Sequence, residues 1–366
     1  MAGETEITRI GITGGPCAGK TTMLSYLEQE LEEHGVGTGT VPETARFLIG
    51  AGIVPPLVGA SVFQEEYIRL QMIHEDTLLR LMERQRKGNR NVLLCDRGTM
   101  DACAYLPPEE FSRLLAKNGW NIPQLRDARY EAVIHLVTAA DGAEAFYVQD
   151  KERHETLEEA RERDQLTQDA WVGHSHLSII GNETDFEGKK RRVLQQILHH
   201  LGMPVPLEIE KKYRVGRASL NSLPRHAQKI SIEQGYVVAR DGFEERVRKR
   251  SQDGHSVCYR TIKEKVRPGV RREHEYQISV EEYENVARML PRNTIVMKDR
   301  WCFLSDRQYF ELDDLSPMGL DLCLLEIELT DIQQTVVMPS WMEVIEDVTD
   351  NKTYSNREIA FGSLVL

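Results

Sequence analysis

The sequence predicts two domains in tandem: an α/β domain with a parallel sheet flanked by helices, then an α+β domain built on an antiparallel β-barrel. Near the N-terminus, a glycine-rich segment lies between a β-branched segment and an amphipathic helical pattern, the order of a β–loop–α unit. In the second half, charged residues recur at every second position of strand-like segments. A proline-containing linker at 202–206 separates the two patterns, and we place the domains at 1–203 and 204–366.

The charge balance argues against a stable nucleic-acid partner. The chain of 366 residues carries a net charge of −12. Residues 1–203 hold 22 basic and 31 acidic residues (net −9), and residues 204–366 hold 24 and 27 (net −3). Nucleic-acid binding relies on basic surface that neutralises phosphates, so this composition makes such binding a poor expectation.

Composition also predicts a cytoplasmic protein. No apolar run is long enough to cross a membrane, and the acidic N-terminal segment 1–6 does not look like a secretory signal. The six cysteines are scattered without a C-x-x-C pair. Such spacing favours reduced thiols over a disulfide framework or a zinc site.

The glycine-rich segment contains a phosphate-binding P-loop. Its G-x-x-x-x-G-K-[ST] spacing is filled by Gly14, Gly19, Lys20 and Thr21. Backbone N–H groups and the following helix N-terminus would wrap the phosphates, Lys20 would reach the β- and γ-phosphates, and the Thr21 hydroxyl would ligate Mg²⁺. The segment therefore predicts a P-loop NTPase domain. Its predicted nucleotide-binding residues are Gly14, Gly15, Pro16, Cys17, Ala18, Gly19, Lys20, Thr21 and Thr22.

Two later strand ends add carboxylates to this site. Glu43 follows a short strand at 37–41, and Asp96 ends the apolar strand 91–96, so both would lie where ligands bind in open α/β sheets. Glu43 is predicted to accept a proton from an attacking hydroxyl or to hold the acceptor; a helix-start carboxylate is an equal alternative. Asp96 is predicted to hold Mg²⁺, and Arg97 to contact the phosphates; the alternative for Asp96 is a cap on residues 99–105.

A charged stretch at 151–164 suggests a lid. Arg153, Arg161 and Arg163 are candidates to close on the nucleotide and exclude water, although a solvated helix with i,i+4 ion pairs explains the same composition. The basic run 189–192 is interpreted as a solvated helix face. The first half resembles P-loop kinases and ATPases, including nucleoside kinases, since Asp96-Arg97-Gly98 is similar to the E-R-S of deoxynucleoside kinases. This resemblance does not identify an acceptor.

The second half repeats one pattern, beginning with Glu208-x-Glu210-x-Lys212. Charged residues spaced by two recur in the later strand-like segments, and a barrel with a polar, water-filled interior explains them together. Its bases would neutralise a triphosphate, and its carboxylates would hold Mg²⁺ or Mn²⁺. The predicted bases are Lys212, Arg246, Arg248, Lys263, Lys265, Arg271, Lys298 and Arg300. The predicted metal ligands are Glu208, Glu210, Glu273, Glu275, Glu311, Asp313, Glu326 and Glu328.

These residues resemble the signature of the CYTH or triphosphate tunnel metalloenzyme family, over about residues 204–366. The family includes inorganic, thiamine and RNA triphosphatases and class IV adenylyl cyclases. The resemblance implies a metal-dependent tunnel, with Glu208, Glu210 and Lys212 among the catalytic residues, whereas Lys20, Glu43, Asp96 and Arg97 serve the first domain. An ordinary salt-bridged β domain is the alternative.

The order of the two domains resembles the TRPL translocation defect protein-like family. That resemblance implies guanine-nucleotide binding, phosphoinositide recognition and a role in membrane trafficking. Two hypotheses follow: an enzyme that hydrolyses or transfers phosphate from ATP or GTP and hydrolyses a triphosphate in the tunnel, or a nucleotide switch without fast turnover. Since no guanine-specific N-K-x-D follows the last strand of the first domain, ATP and GTP both stay open.

Overall fold

The chain divides into two compact units, Met1–Leu201 and Gly202–Leu366. The structure, a computed structural model, describes residues 7–85, 90–147, 155–203, 209–240, 242–267, 270–330 and 334–362. The side chains of residues 209, 265–267 and 270–273 lie outside this description. In the parts that are described, no helix is both long enough and apolar enough to cross a membrane.

The first unit alternates strands and helices, as the sequence pattern predicts. In chain order its elements are β1 (Ile7–Gly14), α1 (Lys20–Glu33), β2 (Gly37–Val41), α2 (Thr44–Gly50), α3 (Pro55–Val58), α4 (Ala60–Gln85), β3 (Asn91–Asp96), a 3-10 helix (Thr99–Tyr105), α5 (Pro108–Asn118), α6 (Ile122–Arg126), β4 (Ala132–Leu136), a short 3-10 helix (Glu144–Phe146), α7 (Leu157–Trp171), β5 (Leu177–Ile180) and α8 (Phe186–His200).

The five strands form a parallel sheet in the order β2-β3-β1-β4-β5. Strands β3 and β4 are buried along their whole length, which explains their continuous apolar sequences. Because all strands run the same way, their carboxyl ends meet at one edge, where the P-loop follows β1 and Asp96 ends β3. This edge is the expected ligand-binding position of an open parallel sheet.

The second unit is mainly antiparallel β-structure. Its elements are β6 (Ile209–Val215), a 3-10 helix (Arg217–Ser222), β7 (Gln228–Arg240), β8 (Phe243–Gln252), β9 (His255–Arg267), β10 (Val270–Ile278), α9 (Val280–Ala287), a 3-10 turn (Arg292–Thr294), β11 (Ile295–Ser305), β12 (Gln308–Asp314), a 3-10 turn (Ser316–Met318), β13 (Cys323–Leu329), β14 (Val344–Asp347), a 3-10 turn (Lys352–Tyr354) and α10 (Asn356–Ala360).

Nine strands form one sheet in the order β10-β9-β8-β7-β11-β12-β13-β6-β14. The apolar residues of β11–β13, among them Phe303, Phe310 and Leu325, share one face and form a core with Met342. The charged residues of the same strands alternate with them and share the other face. The strands that the structure describes show no ladder between the edge strands β10 and β14, so a large antiparallel sheet is established and a closed barrel stays a prediction.

Candidate functional sites

The P-loop contains glycines at positions where any side chain would collide with other parts of the chain. Gly14 has φ of 151°, and a Cβ there would lie 2.4 Å from the Leu136 carbonyl oxygen. Gly19, at the start of α1, has φ of 83°, in the region that favours glycine. The Lys20 ammonium donates to the carbonyls of Gly14 (2.9 Å) and Gly15 (3.0 Å), so Lys20 folds back over the loop.

Four charged side chains from different elements meet beside this loop. The Arg97 Nε donates to Glu43 Oε1 at 2.8 Å, and its Nη1 donates to the Gly14 carbonyl at 3.2 Å. Burial, with the nearby Arg97 charge, lowers the pKa of Lys20 to about 8. The pKa of Glu43 is lowered overall: burial raises it, but the Arg97 guanidinium outweighs burial. The structure thus brings together Lys20, Glu43, Asp96 and Arg97, which were predicted separately.

Asp96 has the environment of a cation ligand. Its side chain is buried, and Oδ1 has no hydrogen-bond partner. Burial, together with the Glu43 carboxylate, raises the pKa of Asp96 to about 6. A buried carboxylate oxygen without a donor is costly, and Mg²⁺ is a hard cation that prefers such oxygens. The residues present therefore fit a magnesium ion, although Thr21, the other predicted ligand, has an exposed side chain.

Asp101 and Asp164 are buried aspartates that the sequence analysis missed, and both hold this site in place. Asp101 accepts hydrogen bonds from Thr13 Oγ1 (2.7 Å), Trp171 Nε1 (2.7 Å) and Arg97 Nη1 (3.1 Å). It thereby fixes the Arg97 side chain, whose backbone has φ of 70°. Neither aspartate lies in a motif. The only sequence signal for Asp101 is its spacing of five residues from Asp96, beyond the end of the strand.

Asp164 holds the P-loop backbone through its side-chain carboxylate. Its Oδ1 accepts from the Gly15 N–H at 2.8 Å, from the Thr138 N–H at 3.1 Å and contacts His135 Nε2 at 3.0 Å. Its Oδ2 accepts from Gln168 Nε2 at 2.8 Å. Burial raises the pKa of Asp164, but His135 and the hydrogen bonds outweigh it, so the pKa is lowered and the carboxylate stays charged.

The predicted lid arginines are found in different settings. Arg161 donates from Nε to the Ala140 carbonyl at 2.6 Å and pairs with Glu144 at 3.0 Å. Arg163 donates to the Ala104 carbonyl and stacks on the Tyr105 ring at 4.5 Å. Arg153 lies outside the described residues. The structure therefore shows α7 as a packed helix, and its role as a lid stays a prediction.

The interpretation of residues 189–192 as a solvated face is wrong for two of them. Lys189 and Arg192 are buried. The Lys189 ammonium donates to the Val137 carbonyl and to Asn182 Oδ1, both at 2.7 Å. Arg192 donates to the Gly181 carbonyl at 2.8 Å. Both residues fix the loop after β5, because α8 turns this face inward.

In the second unit, the strand register places the predicted charges on one face of the sheet. Directly opposite residues of antiparallel strands share a face. Lys212 lies opposite Glu326, which lies opposite Glu311. Arg300 lies opposite Asp313. The same face continues on β7–β10 through pairs that include Lys298, Arg248, Arg246, Thr261 and Glu275. We call this surface the charged face.

Arg300 is the centre of an ion-pair cluster on the charged face. Its Nε and Nη2 donate to the two oxygens of Asp313, each at 2.7 Å, and Nη2 also donates to Glu326 at 2.7 Å. Its Nη1 pairs with Glu311. Lys298 also pairs with Asp313, and Lys212 pairs with Glu326 at 2.8 Å. These cations outweigh burial, so the pKa of Glu326 lies well below its usual range.

The other half of the charged face is richer in arginine. Arg248 donates to Glu275 Oε2 at 2.8 Å, and burial lowers the pKa of Arg248. Arg250 was missed, yet it continues the two-residue series from Arg246 and Arg248 and is buried. Lys263 lies on β9 opposite Glu273 of β10. The side chains of Lys265, Arg271 and Glu273, and all of Glu208, lie outside the description.

Carboxylates at one end of the charged face have the environment of a divalent cation site. Glu210 lies directly opposite Glu328, an arrangement of like charges that favours a nearby cation, and Lys212 already pairs with Glu210 at 3.2 Å. Partial desolvation, together with the Glu326 charge, raises the pKa of Glu210, whose side chain is 48% exposed. Glu311 Oε1 is buried without a hydrogen-bond partner. These oxygens fit Mg²⁺ or Mn²⁺. Among the described residues no group of three or more His, Cys, Asp or Glu side chains is already arranged to hold a metal.

Comparison with known proteins gives two similarities. Residues 9–189 match the family model for an AAA domain. Over 152 residues the chain is 29% identical to an inorganic triphosphatase of Acetivibrio thermocellus, which covers 42% of this chain and 92% of that protein. Together they support a P-loop-like nucleotide-binding domain joined to a second domain. The relation of the whole chain to the TRPL translocation defect protein-like family stays a prediction.

Solved structures give further similarities over part of the chain. The inorganic triphosphatase NE1496 is 28% identical, covering 43% of this chain and 96% of its own, with a TM-score of 0.33. The PH1819 protein of Pyrococcus horikoshii OT3 is 22% identical, covering 37% and 80%, with a TM-score of 0.26.

Proposed function

We propose that the second unit binds and hydrolyses an inorganic or organic triphosphate, and that the first unit binds ATP or GTP at its P-loop. The observation that carries the first part is the charged face, where the register brings cations and carboxylates from seven strands onto one surface. The likeness to an inorganic triphosphatase supports the assignment. Because the AAA-domain match accounts for residues 9–189, we assign this likeness to the second unit.

The charged residues of the second unit would have two roles, binding the phosphate oxygens and holding other cations in position. Arg246, Arg248 and Lys263 would bind the phosphate oxygens, as would the predicted bases Lys265 and Arg271 and the newly found Arg250. Asp313 and Glu326 would hold Arg300 and Lys298 in position, since Asp313 already accepts from both cations and Glu326 accepts from Arg300. Preorganised cations stabilise charge that develops on the leaving phosphate without further reorganisation.

Glu210, Glu328 and Glu311 would hold the divalent cation, with Glu208, Glu273 and Glu275 as further predicted ligands. When bound, Mg²⁺ or Mn²⁺ would polarise the phosphoryl group and activate water. Lys212 pairs with Glu210 at 3.2 Å and also with Glu326. It would therefore keep the Glu210 and Glu326 carboxylates apart and fix their orientation.

Phosphate release from inorganic triphosphate, with Mg²⁺ or Mn²⁺, tests the second unit. We expect the double variant Glu210→Gln/Glu328→Gln to lower the rate by at least about 10- to 100-fold, the usual cost of losing a residue that only supports a metal ligand, and to raise the metal concentration that is needed. Glu281→Gln, on the exposed surface of α9, is the matched control and should leave the rate unchanged. Wild-type protein without turnover, or a double variant as active as the control, would contradict the proposal.

For the first unit we propose that residues 14–22 cradle the nucleotide phosphates and that Lys20 neutralises them. Asp96 and Thr21 would hold Mg²⁺, and Arg97, Arg161 and the predicted Arg153 would contact phosphate oxygens. A phosphate would take over the hydrogen bonds that Lys20 now donates to its own loop. Glu43, charged and beside Arg97, would orient the attacking hydroxyl or water.

Binding of ATP and GTP by equilibrium titration with Mg²⁺ tests this site. Lys20→Ala should weaken binding at least about tenfold, because charged hydrogen bonds to phosphate are lost. Equal binding by wild type and variant would refute the site. Tight binding without turnover would instead favour the nucleotide switch with phosphoinositide recognition that the whole-chain resemblance implies.

A further inference from the structure

The sheet order gives a nucleotide in the first unit a direction. Strands β2 and β3 lie on one side of β1, whereas β4 and β5 lie on the other. Glu43 follows β2 and Asp96 ends β3, so the γ-phosphate in the proposed site would lie on the β2–β3 side. Because the triphosphate is extended along the P-loop, its nucleoside would point toward β4 and β5, where the loop after β5 leads into α8.

An exposed aromatic ring lies on that side of the P-loop. Phe186 is the first residue of α8 and is 38% exposed. A Cβ added to Gly19 would lie 2.8 Å from Phe186 Cε2, so the edge of the ring lies against the loop backbone directly before Lys20. Thr22, the last predicted nucleotide-binding residue, is exposed three residues after Gly19 and therefore lies on the same side of α1.

Lys190 connects this ring to α1. Its ammonium lies 5.4 Å from the centroid of the Phe186 ring and 5.0 Å from the centroid of the Tyr26 ring. Tyr26 is four residues after Thr22, so these contacts follow the same side of α1. Such cation–π contacts stabilise the position of the ring. Since Phe186 stays 38% exposed in spite of them, part of its surface is accessible to a planar ligand.

Hydrogen bonds fix the loop that carries Phe186. The Asn182 Nδ2 donates to the Thr138 carbonyl at 2.9 Å and to the Asp141 carbonyl at 2.7 Å. The buried Lys189 ammonium donates to Asn182 Oδ1 at 2.7 Å. A ring that is held in place before the ligand arrives loses little conformational entropy on binding, and this favours affinity.

We propose that Phe186 stacks on the base of the nucleotide bound at the P-loop, and that this contact makes the first unit prefer a nucleoside triphosphate to inorganic triphosphate. The inference rests on the proposed nucleotide site. Every nucleobase has a planar π-face that stacks on an aromatic side chain, whereas inorganic triphosphate has none. Because stacking tolerates every base, the contact suits adenine and guanine alike.

Two ligands that resist hydrolysis test the proposal: the β,γ-imido analogue of ATP and the diimido analogue of inorganic triphosphate, which has no base. Both are titrated with Mg²⁺, and the binding that Lys20→Ala abolishes is assigned to the P-loop. Phe186→Ala should weaken binding of the ATP analogue by about 5- to 150-fold, because base stacking is lost. Binding of the base-free analogue at the P-loop should change by less than about twofold, since it makes no stacking contact.

Two further substitutions separate stacking from packing against Gly19. Phe186→Tyr keeps the aromatic ring and should bind the ATP analogue as wild type does. Phe186→Leu keeps an apolar side chain without a ring and should weaken binding as Phe186→Ala does. Phe361→Ala, at a phenylalanine of similar exposure (40%) in the second unit, is the matched control and should leave both ligands unaffected.

The results distinguish failure of the inference from failure of the nucleotide site. If wild type shows no Lys20-dependent binding of the ATP analogue, the proposed nucleotide site itself is refuted. If the ATP analogue binds, the stacking inference is overturned when Phe186→Leu binds it as tightly as wild type. It is also overturned when Phe186→Ala weakens both ligands equally, because Phe186 would then only support the loop. Retained binding of the base-free analogue in Phe186→Ala shows that the loop is still folded.

Discussion

Single carboxylates decide the geometry of both candidate sites. Asp101 and Asp164 fix Arg97 and the P-loop backbone, and Asp313 fixes Arg300 and Lys298. The P-loop could be predicted because its chemistry requires particular residues at fixed spacing. Asp101 and Asp164 could not, because their partners come from distant elements and leave no local pattern.

Asp164→Asn should destabilise the first unit. The amide of an asparagine has one acceptor oxygen in place of two, and its NH₂ group would point toward a donor. Buried donors such as the Gly15 N–H would therefore lose their acceptor. We expect the free energy of unfolding to fall by about 2–3 kcal/mol, measured by urea titration. Asp169→Asn, on the same helix with Gln165 as its partner, should change it by less than about 0.5 kcal/mol. Equal effects would refute the role given to Asp164.

His174 should make the first unit less stable in mild acid. Its Nδ1 accepts from the His176 N–H at 3.0 Å and its Nε2 contacts the Tyr130 carbonyl at 2.9 Å, which fits a neutral ring. Burial lowers its pKa from 6.5 to about 4. Because the unfolded chain binds the proton first, stability present above pH 6.5 is lost as the pH falls toward 4.

When the pH falls from 7 to 5, the titration of His174 should lower the free energy of unfolding by about 2 kcal/mol. His174→Gln removes the titrating ring, so urea titrations at the two pH values should show a smaller difference for the variant than for wild type. An identical pH dependence in both proteins would show that His174 does not titrate as described.

At the scale of elements, the alternation of charge predicted which residues share a face, but not how they pair. Glu326 and Glu328 have the same sequence signal, since each lies between two aliphatic residues in the segment Leu325–Leu329 of β13. The register places Glu326 beside Lys212 and Arg300, whereas Glu328 lies opposite Glu210 and is exposed. Strand order and register depend on contacts far apart in sequence, so the pattern alone could not separate these environments.

The two glutamates should therefore respond differently to the same substitution. Glu326→Gln leaves buried cations without their carboxylate and should lower the free energy of unfolding by about 3 kcal/mol or more. Glu328→Gln should change stability by less than about 0.5 kcal/mol but should raise the Mn²⁺ concentration needed for triphosphate hydrolysis. Urea titrations and metal-dependent rates check both. Similar stability losses would contradict the environments described here.

At the scale of the whole molecule, the chain carries two phosphate-binding candidates on unrelated architectures. The parallel sheet presents one at the carboxyl ends of its strands, and the antiparallel sheet presents the other across its charged face. The two-domain layout predicted from the sequence agrees with the presence of these two sheets. The alternation of charge predicted an interior lined by these residues, but not the ion pairs that Arg300 makes with Glu311, Asp313 and Glu326, because pairing depends on strand register.

The central claim is that each unit has its own phosphate-binding site and that the two sites work independently. It is tested most directly by measuring both activities in variants of each site. Wild type, Lys20→Ala and Glu210→Gln/Glu328→Gln would each be measured for nucleotide binding and for inorganic triphosphate hydrolysis. We predict that Lys20→Ala loses nucleotide binding and keeps hydrolysis, whereas the double variant loses hydrolysis and keeps nucleotide binding. Loss of triphosphate hydrolysis in Lys20→Ala alone would place that activity at the P-loop and contradict this account.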